Sequence, residues 1–446
     1  MQKLNVGQPE ITTQGRIIKL FVDKIGYTYL GNWIDRENSN IEKELLFKFL
    51  KKQGYSEVLI KKAFFELQKT ATNQNKGLYD VNKEVYSLLR YGIKAREHKG
   101  EKHQTVWPID WKHPLDNDFY IAEEVSVRGQ HNKRPDIVLY VNGIAVAVLE
   151  LKRSTISVSH GIRQNLDNQK QIFIKQFFAT IQLVMAGNET EGLRYATTET
   201  PEKYYLKWKE DSKIKNRLDR DLFLLGNKER LLEIIHDFIV FDFGVKKICR
   251  HNQYFGVRAA QDQLKKGKGG IIWHTQGSGK SLIMIWLAKW IYENLPNPRV
   301  LIITDREELD DQIENFFLGV DEQIYRTKNG KDLIEKLNDT KKWLLCSLVH
   351  KFGRRNKKAE EKGIQDYLEQ IRNNLPANFR AKGNVYVFVD ECHRTQSGRL
   401  NKAMKKIVLP DAIFVGFTGT PLLKKDKKTK TSKEIFGGYI HTYKYD

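Results

Sequence analysis

One segment constrains the fold more than any other. The apolar run Ile271-Ile272-Trp273 leads into His274-Thr275-Gln276-Gly277-Ser278-Gly279-Lys280-Ser281, and an apolar stretch from Leu282 to Tyr292 follows. This reads as strand, glycine-rich loop, helix. Glycines let backbone N–H groups curl around a phosphate, and the helix N-terminus adds partial positive charge. Thr275 to Gly279 then form the cradle, Lys280 reaches the β- and γ-phosphates, and the Ser281 hydroxyl sits on Mg²⁺. A tight strand-to-helix turn is the bland alternative. It would stand for a lone glycine cluster, but GSGKS in this setting argues against it. The fully spaced G-x-x-x-x-G-K-S pattern has glycine where His274 stands.

From Gln253 short apolar runs alternate with helical segments. Gly270–Trp273, Val300–Thr304, Trp343–Cys346, Val385–Val389 and Ala412–Phe417 are the buried-strand candidates. That alternation predicts a doubly wound parallel sheet with ligands at the strand carboxyl ends. One of these runs ends in Asp390-Glu391-Cys392-His393. Asp390 stands where a second Mg²⁺ contact belongs, and Glu391 is placed to orient a water. Another run leads into Thr418-Gly419-Thr420-Pro421, which brings hydroxyl groups to the same end. The charged stretch Lys351–Lys362 reads as a surface loop. Lys424–Lys433, with six lysines, reads as a linker or a DNA-facing loop.

The N-terminal half has a different pattern. Ile41–Lys52 and Leu59–Lys69 carry helical spacing, and β-rich runs follow at Phe119–Val127, Asp136–Val141 and Ile144–Leu151. Asn142-Gly143 between the last two is a hairpin signal, because both residues tolerate positive φ. Leu231–Ile239 reads as an amphipathic helix.

Composition narrows the partners. The 446 residues carry 76 Lys and Arg against 55 Asp and Glu, a net charge of +21. At about 150 residues per domain the length suggests two to four domains. So large a positive surplus favours a polyanion as partner, and nucleic acid first among them. The three cysteines, Cys249, Cys346 and Cys392, lie far apart, which argues against a disulfide framework or a structural zinc site. The N-terminus lacks the apolar core of a signal peptide, and no apolar run approaches the ~18–20 residues of a membrane span.

Taken together, GSGKS, TDREEL (Thr304–Leu309), DECH and TGTP resemble motifs I, Ia, II and III of superfamily 2 helicases and translocases. Gln253 resembles that superfamily's adenine-reading glutamine. More narrowly, WHTQGSGKS, DREELDDQI and DECHRTQSG resemble the motor subunit of type I restriction-modification enzymes, the HsdR family, over nearly the whole chain. Cys392 departs from the DEAH common there, and as a small residue it is expected to cost no chemistry. The resemblance implies an α/β protein with a mixed-sheet PD-(D/E)xK nuclease at 1–240, its core at about 119–190. A RecA-like ATPase domain would follow at 241–423, then a basic linker and the start of a truncated second lobe at 424–446. Thr275, Gln276, Gly277, Ser278, Gly279, Lys280, Ser281, Asp390, His393, Thr418, Thr420 and Gln253 would hold Mg-ATP. Ser281 and Asp390 would take the metal.

The residues themselves also carry a nuclease pattern. Arg134-Pro135-Asp136, a hairpin, then Glu150-Leu151-Lys152 fits PD-(D/E)xK. Two carboxylates on neighbouring strands can hold divalent cations, and Lys152 can orient the attacking water. A simple two-residue turn raises an objection. Pairing Val141 with Ile144 sets Asp136 opposite Leu149, so its side chain faces away from Glu150. A three-residue loop, a bulge that shifts register by one, or an irregular strand start at Pro135 would each resolve it. The family also carries a Q-x-x-x-Y signature. Gln164 fits its glutamine, while the tyrosine position is Asn168.

By resemblance the chain couples ATP-driven translocation on double-stranded DNA to Mg²⁺-dependent cleavage in the prokaryotic cytoplasm. Methyltransferase (HsdM) and specificity (HsdS) partners would bring the S-adenosylmethionine dependence, and no membrane is involved. A repair or antiviral helicase–nuclease without such partners, or a translocation module with a decayed nuclease, remain alternatives. Because only the first motor lobe is recognised, ATP turnover by the chain alone is expected to be deficient.

Overall fold

The computed structural model describes residues 9–304, 324–348, 357–392, 404–420 and 436–444. The chain divides into two compact units, Met1–His251 and Asn252–Asp446. Both are α/β.

In the first unit a six-stranded mixed sheet is the centre. Its strands are β1 (Thr28–Asn32), β4 (Phe119–Glu123), β5 (Ile137–Val141), β6 (Ile144–Leu151), β7 (Leu183–Asn188) and β8 (Gly192–Ala196), side by side in that order. A two-stranded hairpin of β2 (Ile93–Ala95) and β3 (Gln104–Val106) lies outside it. β1 runs parallel to β4 and β6 parallel to β7, while the other neighbours are antiparallel. All eight residues of β6 are buried, as a strand covered on both faces requires. The covering helices are α1 (Glu10–Lys19), α2 (Lys43–Lys52), α3 (Glu57–Ala71), α4 (Leu78–Tyr91), α5 (Val158–Asn168), α6 (Arg217–Leu225) and α7 (Lys228–Asp237).

The unit closes with a hairpin of β9 (Ile239–Asp242) and β10 (Val245–Ile248). Its anchor is Lys246, a wholly buried amine that donates to Asn82 Oδ1 and Gln182 Oε1, each at 2.7 Å. Burial pushes its pKa well down, and the neutral acceptors suit an uncharged amine. This anchoring keeps 241–251 with the first unit, so the boundary falls after His251 and not after residue 240.

The second unit opens with α8 (His251–Lys265), most of which belongs to it, and holds a seven-stranded parallel sheet. The strands are β11 (Gly270–His274), β12 (Pro298–Thr304), β13 (Tyr325–Arg326), β14 (Leu344–Leu348), β15 (Asn384–Val389), β16 (Ile413–Thr418) and β17 (Tyr439–Tyr443). Their order is β13-β14-β12-β15-β16-β11-β17. All five strands expected from the apolar runs are present in this sheet. The helix after β11, α9 (Lys280–Asn294), is buried on most sides, from Ile283 to Ile291. Among the described residues no helix is long and apolar enough to cross a membrane.

Two expectations need correction. Lys357–Asn374 is a helix, so the charged stretch expected as a loop is helical from Lys357 onward; 351–356 lie outside the described residues. Its Lys and Glu residues are good helix formers, and the lack of a strong apolar stripe hid them. The segment expected to begin a second lobe instead adds β17 to the seven-stranded sheet, parallel to β11. Phe436 is buried in that core, and Gly270 leaves room for Ile440 to lie against it. Lys424–Lys433 lies outside the described residues.

Candidate functional site

The register objection is resolved by a bulge. The turn has two residues, with Asn142 at φ 53° and Gly143 at φ 85°, and Val141 pairs with Ile144. The pairing then slips: Tyr140 faces Ala145 but Leu139 faces Ala147, leaving Val146 as the extra residue. Beyond it Ile137 pairs with Leu149, so Asp136 comes opposite Glu150. The slip of one residue turns the two carboxylates to a common side.

Their surroundings combine burial with a few close charges. Glu150 is completely buried. Burial first, then the charge of Asp136, pushes its pKa well above the usual carboxylate range, and a hydrogen bond with Asp136 acts the same way. Asp136 is raised to about 6 by burial, against the opposing pull of the Leu151 N–H and of Lys152. That N–H donates to Asp136 Oδ2 at 2.6 Å. Lys152 donates to the Leu151 carbonyl at 2.7 Å and to Glu10 Oε1 at 3.0 Å. Burial disfavours its ammonium, but attraction to Asp136 and the bond to Glu10 override this, and its pKa is raised.

Helix α5 lies close over this end of β6. Gly161 permits that approach: a Cβ there would stand 3.2 Å from the Ala186 side chain and 3.4 Å from Lys152 Cγ. The same helix aims Gln164 Nε2 at Glu150 Oε2, 2.5 Å away, and Asn168 Nδ2 at Oε1, 3.2 Å away. Asp136, Glu150, Lys152 and Gln164 are thus brought together. Glu10 and Asn168 join them: Glu10 was not expected, and Asn168 stands at the tyrosine position of the Q-x-x-x-Y signature, where the sequence assigns no role. Glu10 sits 142 residues from its partner, Lys152, beyond any spacing signal.

Asp136, Lys152, Gln164 and Glu10 line an open cleft of about 840 Å³. Arg36, Arg128, Lys133, Arg134 and Arg153 line it as well. Arg36, Arg128 and Arg134 are paired with Glu42, Glu37 and Glu124, while Lys133 and Arg153 make no ion pair among the described residues. The donor set fits a hard divalent cation: two close carboxylates in a buried setting carry charge that one ammonium, itself tied to Glu10, does not balance.

The second unit places its candidate residues around β11. Gly277 and Gly279 have φ of 80° and 81°, conformations that other residues rarely adopt, and α9 starts at Lys280. Gln253 Nε2 donates to the Gly279 carbonyl at 3.1 Å. A Cβ on Gly279 would meet that nitrogen at 2.2 Å. Lys280 Nζ reaches back to the His274 carbonyl at 3.3 Å, and Gly419, between Thr418 and Thr420, faces Lys280 Nζ and the Gln276 N–H. Thr418 Oγ1 accepts from the Thr420 N–H at 3.1 Å, which shapes that turn. Asp390 ends β15, its N–H bonded to the Ile303 carbonyl at 3.0 Å, and Glu391 follows with φ 47°. Ser281 sits in the first turn of α9, and Thr275 and Ser278 lie in the loop before it. The Ser278 and Thr275 hydroxyls are buried with no hydrogen-bond partner among the described residues. Where the spaced pattern has glycine, His274 is buried and bonded to His441 at 2.7 Å. His393 and most of TDREEL lie outside the described residues.

Residues 7–203 match the family model of the type I restriction enzyme R protein N terminus, and 252–446 match that of the SWI2/SNF2 ATPase. The first half of the chain is thus similar to the R protein N terminus, and the second to a SWI2/SNF2 ATPase. Among the chain's relatives, the putative type I restriction enzyme MjaVIIIP endonuclease subunit of Methanocaldococcus jannaschii is 30% identical over 78% of this chain and 36% of its own length. The MjaIXP subunit of the same organism is 26% identical over 90% of this chain and 42% of its own. The HindI endonuclease subunit of Haemophilus influenzae is 28% identical, covering 84% and 38%. The chain spans about two fifths of the length of the curated relatives it matches.

Proposed function

We propose that this chain is the nuclease and motor part of a type I restriction enzyme, coupling ATP-driven translocation on double-stranded DNA to Mg²⁺-dependent cleavage. The observation that carries the reading is the bulge at Val146, which turns Asp136 toward Glu150 beside Lys152 in an open cleft. Asp136 and Glu150 would hold the metal. When bound, Mg²⁺ supplies a more acidic water and neutralises charge developing on the phosphodiester. Lys152 holds a proton donor at the same spot, and Gln164 fixes the orientation of Glu150. In the motor, the loop Thr275–Gly279 with Lys280, Thr418 and Thr420 would bind the ATP phosphates, and His393 would contribute there too. Gln253 would read the base. Ser281 and Asp390 would share its Mg²⁺, and Glu391 would orient the attacking water.

The names of the relatives favour partners over solitary action. We infer methyltransferase and specificity subunits, which supply S-adenosylmethionine dependence, and a cytoplasmic location. In the assembled enzyme, alanine at Asp136, Glu150 or Lys152 is expected to abolish cleavage while ATP hydrolysis continues. Lys280→Ala stops hydrolysis, and with it any cleavage that depends on translocation. Cleavage surviving Asp136→Ala and Glu150→Ala overturns the site. Failure to co-purify with a modification methyltransferase favours a solitary helicase–nuclease.

A further inference from the structure

Both oxygens of Glu150 are engaged by one helix. Gln164 and Asn168, four residues apart and so on one face of α5, donate to Oε2 and Oε1 at 2.5 and 3.2 Å. The helix is fixed where it does this, because Asn165 Nδ2, between them, donates to the Met185 carbonyl on β7 at 2.8 Å. Asn168 is 1% exposed, and its side-chain Oδ1 accepts no hydrogen bond among the described residues. A buried amide that leaves its acceptor unused is costly, so its place here rests on what its donor does.

We propose that Asn168 is a positioning residue of the nuclease site: with Gln164 it clamps the Glu150 carboxylate so that it faces Asp136. The proposal rests on the nuclease reading above. The clamp acts before any metal arrives. It removes the freedom of a glutamate side chain to swing toward Lys152 and hands the cation a preformed pair of oxygens. Groups that orient a metal ligand from behind typically change affinity by about 10–100-fold when removed. One other group competes for this role. The Tyr205 hydroxyl is also buried without a partner among the described residues, and the ring packs against Val158, Ile162 and Ala186 close enough to feel the charge of Glu150. Asn168 makes a bond to Glu150, and no such bond is made by Tyr205.

The test uses the whole 446-residue chain and Mn²⁺ as probe, titrated calorimetrically, with melting followed in parallel. Asp136→Asn and Glu150→Gln should lose the site. Asn168→Leu and Asn168→Ala should bind Mn²⁺ about tenfold or more weakly. Asn168→His, which keeps a donor, should recover most of the affinity, and Tyr205→Phe should bind like the unaltered chain. If the unaltered chain has no Mn²⁺ site that Asp136→Asn removes, the nuclease reading itself fails. If that site exists but Asn168→Leu and Asn168→Ala bind normally, the clamp alone is overturned. It is also overturned if weakening follows only a fall in melting temperature and histidine does not rescue it, or if Tyr205→Phe carries the loss.

Discussion

The two candidate sites are built from different materials. Around β11 the proposed phosphate site would come mostly from the contiguous loop Thr275–Ser281, whose Gly277 and Gly279 stand at positive φ. Over β6 the site is made of side chains drawn from Glu10, Asp136, Glu150, Lys152, Gln164 and Asn168, and strand register decides whether they meet. A backbone site tolerates varied neighbours but fails when its φ angles are denied. A side-chain site depends on one bulge and stores unfavourable charge, because its carboxylates are held close in a buried place.

The largest expected effect breaks the backbone site. Gly279→Ala forces a residue with a Cβ into φ 81° and against Gln253 Nε2. The left-handed conformation alone costs roughly 1–2 kcal/mol. With the contact added, ATP affinity should fall about tenfold or more, measured by nucleotide titration, while Mn²⁺ binding to the first unit stays unchanged. An unchanged ATP affinity would mean that the loop does not bind phosphate through this conformation.

A smaller effect sharpens the side-chain half. The carboxyl of Asp136 titrates near 6 in the fold, against about 4 in an unfolded chain. Between those values the folded protein holds a proton that the unfolded chain has released. Stability in metal-free buffer therefore falls as pH rises from about 4 to 6, and stays lower above. Asp136→Asn removes this penalty. In chelator at about pH 7.5 the first unit should gain about 2 kcal/mol, and the gain should vanish near about pH 4. A loss of stability in Asp136→Asn at neutral pH would contradict the stored-charge account.

The same contrast explains what could be read from sequence. GSGKS is legible because its chemistry is contiguous, and Asn142-Gly143 because two adjacent residues need positive φ. The need for a register shift or an irregular strand start was also legible, and a bulge was one of three ways to bring Asp136 and Glu150 to one side. The position of the bulge was not legible: Val146 sits in a run of Ala and Val with no glycine to mark it. Glu10 was missed because it works through a tertiary contact; Asn168 was marked by the Q-x-x-x-Y spacing, but its role went unread because asparagine replaces the tyrosine there. β17 was misread because Tyr439–Tyr443 follows a lysine-rich stretch, and its place beside β11 depends on room made by Gly270.

The smallest effect concerns the Asp-Glu-Cys-His string, where a side chain sits inside a backbone-built site. Cys392 is 1% exposed, and its N–H bonds the Phe417 carbonyl at 3.1 Å. Its Sγ lies 2.8 Å from where a Cβ on Gly416 would be, so the thiol packs into the core beneath β16. Burial first, then the charges of Asp390 and Glu391, keeps the thiol protonated, and a protonated, enclosed thiol is a poor nucleophile. Cys392→Ala should therefore leave ATP affinity unchanged and cost about 1 kcal/mol or less, the value of a small buried group. Cys392→Leu should cost more, about 1–3 kcal/mol, because the added carbons press on Gly416 and Phe436. Melting curves of the two variants, with alkylation of the native chain at this cysteine as a third measurement, decide the matter. Rapid alkylation of Cys392 before unfolding, or a loss of nucleotide affinity in Cys392→Ala without a loss of stability, would place the thiol in the site instead of beneath it.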